Sequence, residues 1–195
     1  MKSIYNYEGI VDLPYLNAIL NESLRLHPVL PTAGIRQTAT EGVMVAGTYI
    51  PPYTTIVTPR YSIARRKPLP NYLISENKSA WKLIFYLVES SFERAEEYIP
   101  ERWTAKPGMV RDKRAFQPFN LGRHSCPGKD IGLMELRIVT AMLITKFKVS
   151  LAPGEYGLKV SEEMRDTFTA QPGDLHLKFK PVSEDVTAFY KPPAT

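Results

Sequence analysis

A single cysteine occurs in these 195 residues, within the run Phe119-Asn120-Leu121-Gly122-Arg123-His124-Ser125-Cys126-Pro127-Gly128. Glycines bound the loop, and a segment of helical apolar spacing follows from Lys129. A thiol placed just before a helix faces unpaired N–H groups and the positive end of the helix dipole. Both features favour an anionic sulfur, which is the nucleophilic and metal-binding form. Residue types alone leave two readings: a metal-binding thiolate, or the small buried hydrophobe that a lone cysteine ordinarily is.

Competing chemistries fit less well. Gly128-Lys129 resembles the end of a phosphate-binding loop, but the gap from Gly122 is one residue too long. Asp130 also stands where that loop needs a hydroxyl for magnesium. A Cys–His nucleophile pair with His124 or His176 lacks any local protease signature. One cysteine and three histidines (His27, His124, His176) show no zinc-ligand spacing. The acid pairs Glu96-Glu97 and Glu162-Glu163 read as solvated faces rather than acid/base dyads.

Two further motifs precede the cysteine. Glu22 and Arg25 lie at i, i+3 and share a helix face. Leu16, Ile19, Leu20 and Leu24 predict that helix over 13–26, and His27-Pro28 ends it. The second motif is Pro100-Glu101-Arg102-Trp103. Together with the loop pattern Phe-x-x-Gly-x-x-x-Cys-x-Gly, these motifs, in this order, resemble the cytochromes P450. The Gly-Arg-x-Ser-Cys-x-Gly-Lys character of the loop is most similar to fungal members.

The resemblance implies a mainly α fold with small β-sheets: a partial cytochrome P450 fold, the C-terminal part, with the distal half absent. It implies haem b as cofactor, with Cys126 as axial iron ligand and Phe119, Gly122, Arg123, His124 and Gly128 shaping the cofactor loop. Glu22, Arg25 and Arg102 match a charged cluster that positions that loop. Members commonly carry arginine two residues before the cysteine, where it meets a haem propionate. Here that residue is His124, with Arg123 beside it. Arg36 matches a second propionate-binding position, and an ordinary loop arginine is the other reading. Val29, Thr32, Ala33, Thr167 and Phe168 match substrate-contacting segments, the resemblance placing Thr167, Phe168 and Thr169 at a turn, with a plain hairpin as the alternative there. The implied activity is oxidation of a small apolar, secondary-metabolite substrate. Electrons come from NADPH through NADPH–cytochrome P450 reductase.

Net charge is +5, from 25 Lys+Arg against 20 Asp+Glu. Lys106, Arg111, Lys113, Arg114, Arg123 and Lys129 crowd the approach to the cysteine. They read as a solvated basic surface or as a docking face for an acidic electron donor. No nucleic-acid-binding module accompanies them. No apolar run reaches bilayer length, whereas the family is anchored at the endoplasmic reticulum. Residues 1–7 lack the apolar stretch of a signal peptide.

The 44% hydrophobic content suits one domain, a single partial P450 unit over 1–195. Residues 29–34 read as a strand entry, 41–53 as a hairpin, and 55–64 as a strand turning into a short helix. Lys129 to Phe147 is the strongest helix, with Ile131, Met134, Ile138, Met142 and Thr145 in one stripe. Residues 163–181 read as strand, turn at Pro172-Gly173, strand, and 183–195 as a disordered tail. Residues 67–89 match nothing in the family and stand apart in composition. Codons for Arg66-Lys67 can spell a GTAAG splice donor, and those for Leu87-Val88 a terminal TAG. A translated intron and a genuine surface insertion are both open. Because family members are more than twice as long, a truncated remnant without monooxygenase activity is the alternative to a working enzyme.

Overall fold

The computed structural model describes residues 7–32, 34–45, 47–65 and 91–182. The expected anomalous segment 67–89, the tail 183–195 and Ala33 lie outside the described residues. Five helices are described: α1 (Tyr7–Ile10), α2 (Pro14–Leu26), α3 (Arg60–Arg65), α4 (Lys129–Lys146) and α5 (Lys159–Glu162). Eight short strands form four two-stranded antiparallel ladders. They are β1 (Arg36–Gln37) with β4 (Thr55–Ile56), and β2 (Val43–Val45) with β3 (Thr48–Ile50). The others are β5 (Phe147–Leu151) with β8 (Leu177–Pro181), and β6 (Arg165–Thr167) with β7 (Thr169–Gln171). This is the mainly α, small-sheet architecture that the motifs imply.

Proline in its first turn starts α2, where its missing N–H costs no hydrogen bond. His27, ahead of Pro28, leaves the helical region at φ −123°, ψ 67° and ends it. Leu16 and Leu20 are buried against Ile10 of α1 and Ala141 of α4, with Tyr7 and Ile138 packed alongside. Arg137 fixes α4 to this pair, donating to Asn17 Oδ1 (2.9 Å) and Tyr7 Oη (3.0 Å). Of the expected α4 stripe, Ile138, Met142 and Thr145 are half-buried, whereas Ile131 is 62% exposed and Met134 is exposed as well. An apolar helix left open on this scale presents a surface suited to further packing.

The C-terminal third departs from the expected hairpin. The chain reverses at Phe168, where the family resemblance places a turn, and not at Pro172-Gly173, and β8 pairs back across to β5. The Pro-Gly signal has a different cause. A Cβ on Gly173 would lie 2.3 Å from the Lys159 carbonyl oxygen, so only glycine allows the backbone to pass α5. Of the expected strand entry 29–34, residues 29–32 form no strand; they run as bends, with the Pro31 carbonyl accepting from Tyr61 N at 3.1 Å.

Candidate functional site

From residue 91 to α4 the chain is a meander of short 3-10 turns, over Pro100–Trp103, Pro107–Met109, Lys113–Ala115 and Gly122–His124. It has little regular structure, so a buried polar cluster must hold it. Glu22 on α2 is that centre and is fully buried, as is Arg102; Arg25 is 2% exposed. Glu22 Oε1 accepts from Arg25 Nη2 (2.8 Å), the Ile99 amide (2.9 Å) and Arg102 Nε (2.9 Å). Glu22 Oε2 accepts from Arg25 Nε and Trp103 Nε1, both at 2.9 Å.

Each guanidinium spends its remaining donors on carbonyls. Arg25 reaches Ala64 O (2.6 Å), Ala95 O (2.7 Å) and Glu97 O (3.0 Å). Arg102 reaches Glu93 O at 2.8 Å. Burial pushes the Glu22 carboxyl up, but hydrogen bonds from Arg25, the Ile99 amide and Trp103, with the Arg25 charge, hold it below the usual carboxylate value. The three residues expected to cluster are thus brought together. Trp103 is the missed fourth member, and its signal was its place beside Arg102 in the same turn. Its ring packs on Phe92 (6.2 Å) and Phe116 (4.5 Å), carrying the cluster toward the cysteine loop.

Four backbone bonds shape the loop. Cys126 N–H donates to Phe119 O (2.8 Å), and Ser125 N–H to Gly122 O (2.9 Å). Lys129 N–H donates to Cys126 O (3.3 Å), and Gly132 N–H to Gly128 O (2.8 Å), leading into α4. Asn120 (φ 59°) and Gly122 (φ 61°) take left-handed conformations that fold the limb back. Cys126 is solvent-exposed, and it is the one sulfur nucleophile of the chain. That excludes the buried-hydrophobe reading. A Cβ on Gly128 would lie 3.9 Å from Cys126 Sγ, an ordinary van der Waals contact, so residue 128 borders the sulfur.

Arg123 and His124 lie exposed on the 3-10 turn before the cysteine, and Phe119 is half-buried. Arg36 sits on β1 opposite Ile56, its Nη1 donating to Ile35 O at 2.9 Å. It lines a cavity of about 130 Å³ with Arg60, Arg114 and Asn120 of the loop. Arg114 is paired with Asp112 at 2.8 Å, whereas Arg36 and Arg60 enter none of the ion pairs among the described residues. A cavity beside the loop therefore carries positive charge that no ion pair among the described residues neutralises.

The substrate-type residues form a second group. Val29 is 59% exposed, and its carbonyl accepts from Ala170 N–H at 2.8 Å. Thr32 Oγ1 donates to the Asp166 carboxylate. These two bonds latch the 29–32 segment to the β6–β7 hairpin. Thr167 Oγ1 donates to Thr169 O (3.2 Å), and Phe168 is 76% exposed at φ 80°. A bulky residue held in that conformation is a strained outlier of the kind that gathers at functional sites.

Other candidates resolve differently. His176 faces Glu155, whose Oε2 lies 3.3 Å from Nδ1, and no hydrogen bond among the described residues joins it to Cys126. Hydrogen bonds from the Gly157 and His176 amides hold the Glu155 carboxyl below its ordinary value. Among the described residues no cluster of three His, Cys, Asp or Glu could hold a metal ion. Of the six basic residues near the loop, Arg111 faces Glu93 at 3.9 Å and Arg114 faces Asp112. Lys106, Lys113, Arg123 and Lys129 are exposed and in none of the described ion pairs. No helix among the described residues is long and apolar enough to cross a membrane.

The arrangement matches known proteins. The family model for cytochrome P450 matches residues 2–70 and 69–179. The cytochrome P450 monooxygenase sthD of Phaeosphaeria nodorum is 33% identical over 175 residues, covering 90% of this chain and 32% of that protein. Tryprostatin B 6-hydroxylase of Aspergillus fumigatus is 34% identical over 155 residues, covering 80% of this chain and 24% of that protein. Among solved structures, the cytochrome P450DA heme domain superposes with a TM-score of 0.67 at 17% identity, over 90% of this chain and 32% of that one. Retinoic acid-bound cyanobacterial CYP120A1 gives 0.65 at 22% identity, over 90% and 34%. The chain spans about a third or less of the length of these curated relatives. With the charged cluster, the glycine-shaped cysteine loop and the partial fold in place, the chain belongs to the cytochrome P450 family, among relatives of fungal type.

Proposed function

We propose that this chain is the haem-thiolate portion of a monooxygenase that oxidises a small organic substrate of the secondary-metabolite class. The carrying observation is the sole cysteine, solvent-exposed before α4 and held by the Cys126 N–H to Phe119 O bond at 2.8 Å. A single soft, exposed thiolate suits an iron-porphyrin ligand and not a multi-ligand zinc centre. Cys126 would bind the iron of haem b, with Gly128 bordering the sulfur and Phe119 and Gly122 setting the turn. Arg36, Arg123 and His124 would meet the propionates; the positive charge around Arg36, neutralised by no ion pair among the described residues, supports this. When bound, haem with a thiolate ligand supplies oxygen activation for insertion at a C–H bond.

The residues of the chain itself hold and orient. The Glu22 cluster fixes the meander, and α4 carries the loop. The latched 29–32 and β6–β7 segments, with Val29, Thr32 and Phe168 and with Ala33 and Thr167 beside them, would contact the substrate. The exposed lysines Lys106, Lys113 and Lys129, with Arg123, would receive an acidic NADPH-dependent reductase. Residence at the endoplasmic reticulum follows from the same reading. The relatives named as monooxygenases and as a hydroxylase support the reaction class.

A second reading concerns these 195 residues taken alone: a haem-binding fragment that does not turn substrate over. The exposed apolar residues of α4, Ile131, Val139 and Ile144, favour it, since a cofactor pocket needs two walls. One experiment tests the first reading and bears on the second. The haem-loaded chain is reduced under carbon monoxide, and NADPH consumption and product formation with a fungal reductase and a small apolar substrate are measured. A thiolate-type Soret band that disappears in Cys126→Ser is expected. An identical spectrum in parent and variant would refute the assignment of Cys126. The band without coupled product formation would favour the fragment.

A further inference from the structure

Arg60, the first residue of α3, has no role in any motif of the sequence, yet it reaches the cysteine loop. Its Nη1 donates to Pro118 O at 3.2 Å, and its Nη2 donates to Asn120 Oδ1. These acceptors flank Phe119, whose carbonyl holds the Cys126 amide. The clamp therefore straddles the anchor of the loop. Asn120 is also one of the two left-handed residues that fold the limb back, and its side chain is the part that Arg60 grips.

The other end of the clamp is rigid. Ala64 of α3 is buried, and its carbonyl accepts the 2.6 Å bond from Arg25. The buried charge cluster thus continues through α3 into the loop. Holding Arg60 here is electrostatically unfavourable: burial and the neighbouring Arg36 charge lower its pKa from the ordinary arginine value. A cation kept against that opposition, with no carboxylate among its described partners, is retained for the contacts it makes.

We infer that Arg60 is a positioning residue of the cysteine loop, fixing the Phe119–Asn120 limb on which the Cys126 backbone hangs. Its consequence for the cofactor rests on the proposed role of Cys126 as haem ligand. Loss of the clamp leaves the thiolate attached to a looser loop, while α2 and the rest of the core stay folded. A substrate contact is not implied.

The test is amide hydrogen exchange of the whole chain. In Arg60→Gln the Cys126 amide is expected to exchange about tenfold faster, the worth of one charge-assisted hydrogen bond. The α2 amides should keep their protection. Arg60→Lys, which reaches one acceptor, should restore part of the effect. Asn120→Ala should reproduce it from the loop side, and Asn120→Asp should not. Should Arg60→Gln fail to fold, the two Asn120 variants decide the matter. Unchanged Cys126 exchange, or a loss shared equally with α2, overturns the inference. A second arm uses the haem-loaded chain, where Arg60→Gln should lower the thiolate-type fraction of the carbon monoxide spectrum relative to parent. A parent without that band refutes the haem reading, and the exchange result still decides the role of Arg60.

Discussion

Replacing Glu22 by glutamine removes one charge and leaves the shape of the side chain almost unchanged. Its carboxylate accepts five hydrogen bonds, three at Oε1 and two at Oε2. Glutamine keeps one acceptor oxygen. With that oxygen at the Oε1 position, its NH2 group would point at Arg25 Nε and Trp103 Nε1, donor against donor at contacts of 2.9 Å. Two hydrogen bonds are lost, and two buried guanidiniums lose the one carboxylate they pair with among the described residues. Arg25 retains three carbonyl acceptors, whereas Arg102 retains one short one, so the larger share of the loss falls on Arg102. Breaking a buried ion cluster on one side costs roughly 3–5 kcal/mol. With a urea dependence of about 2 kcal/mol per molar, the unfolding midpoint should fall by about 2 M. The assay is urea unfolding followed by Trp103 emission in a Trp81→Phe background, because the chain has two tryptophans. A midpoint shift below about 0.5 M, with an unchanged slope, would refute the claim that this cluster holds the meander.

The same carboxyl sets an acid limit. Its folded pKa lies below the ordinary 4.5, so its stabilisation is present above that value and is lost as pH falls through the folded value. Acid titration of the parent should show this loss, and Glu22→Gln should lack that component. The exposed Arg94–Glu97 pair provides the contrast: Glu97→Gln should leave the urea midpoint unchanged. Gly173→Ala should destabilise the C-terminal ladders by about 1–3 kcal/mol, since the added methyl meets a backbone oxygen that cannot swing away; calorimetry reads it. Sequencing of the transcript across Arg66 to Ser91 should show residues 67–88 spliced out; the family model matches in two segments, 2–70 and 69–179, that overlap inside that stretch. A mature transcript that retains them would establish a genuine insertion.

The sequence carried the site better than the sheets. Glu22, Arg25 and Arg102 were legible because each sits in a short fixed pattern, and α2 was legible because Leu16, Leu20 and His27-Pro28 mark its buried face and its end. Strand β5 was hidden. Phe147 follows Lys146 of α4 without a breaker, and only pairing with β8, about thirty residues later, turns the chain from helix to strand. The Pro172-Gly173 pair looked like a turn because glycine has two uses, and here its use is close approach rather than left-handed φ. The actual turn residue, Phe168, is of a type that turn rules exclude. Arg60 left no trace, since a side chain that reaches carbonyls across the fold obeys no local period.

The Glu22–Arg102 bridge spans 80 positions of chain, and its closure is a problem in polymer entropy. The ends must meet whatever lies between them. Loop-closure cost grows only as the logarithm of length, so excising 22 residues from that span changes it by about 0.3 kcal/mol. That is small beside the several kcal/mol at stake in the cluster itself. The bridge therefore exerts almost no selection on the length of the segment it encloses. Extra chain, whether an expressed intron or an acquired loop, can enter between α3 and residue 91 without loosening the scaffold behind Cys126. Synthesis adds a constraint of order: Glu22 precedes Arg102 by 80 residues, so the bridge that backs the cysteine loop cannot close until the meander has been made.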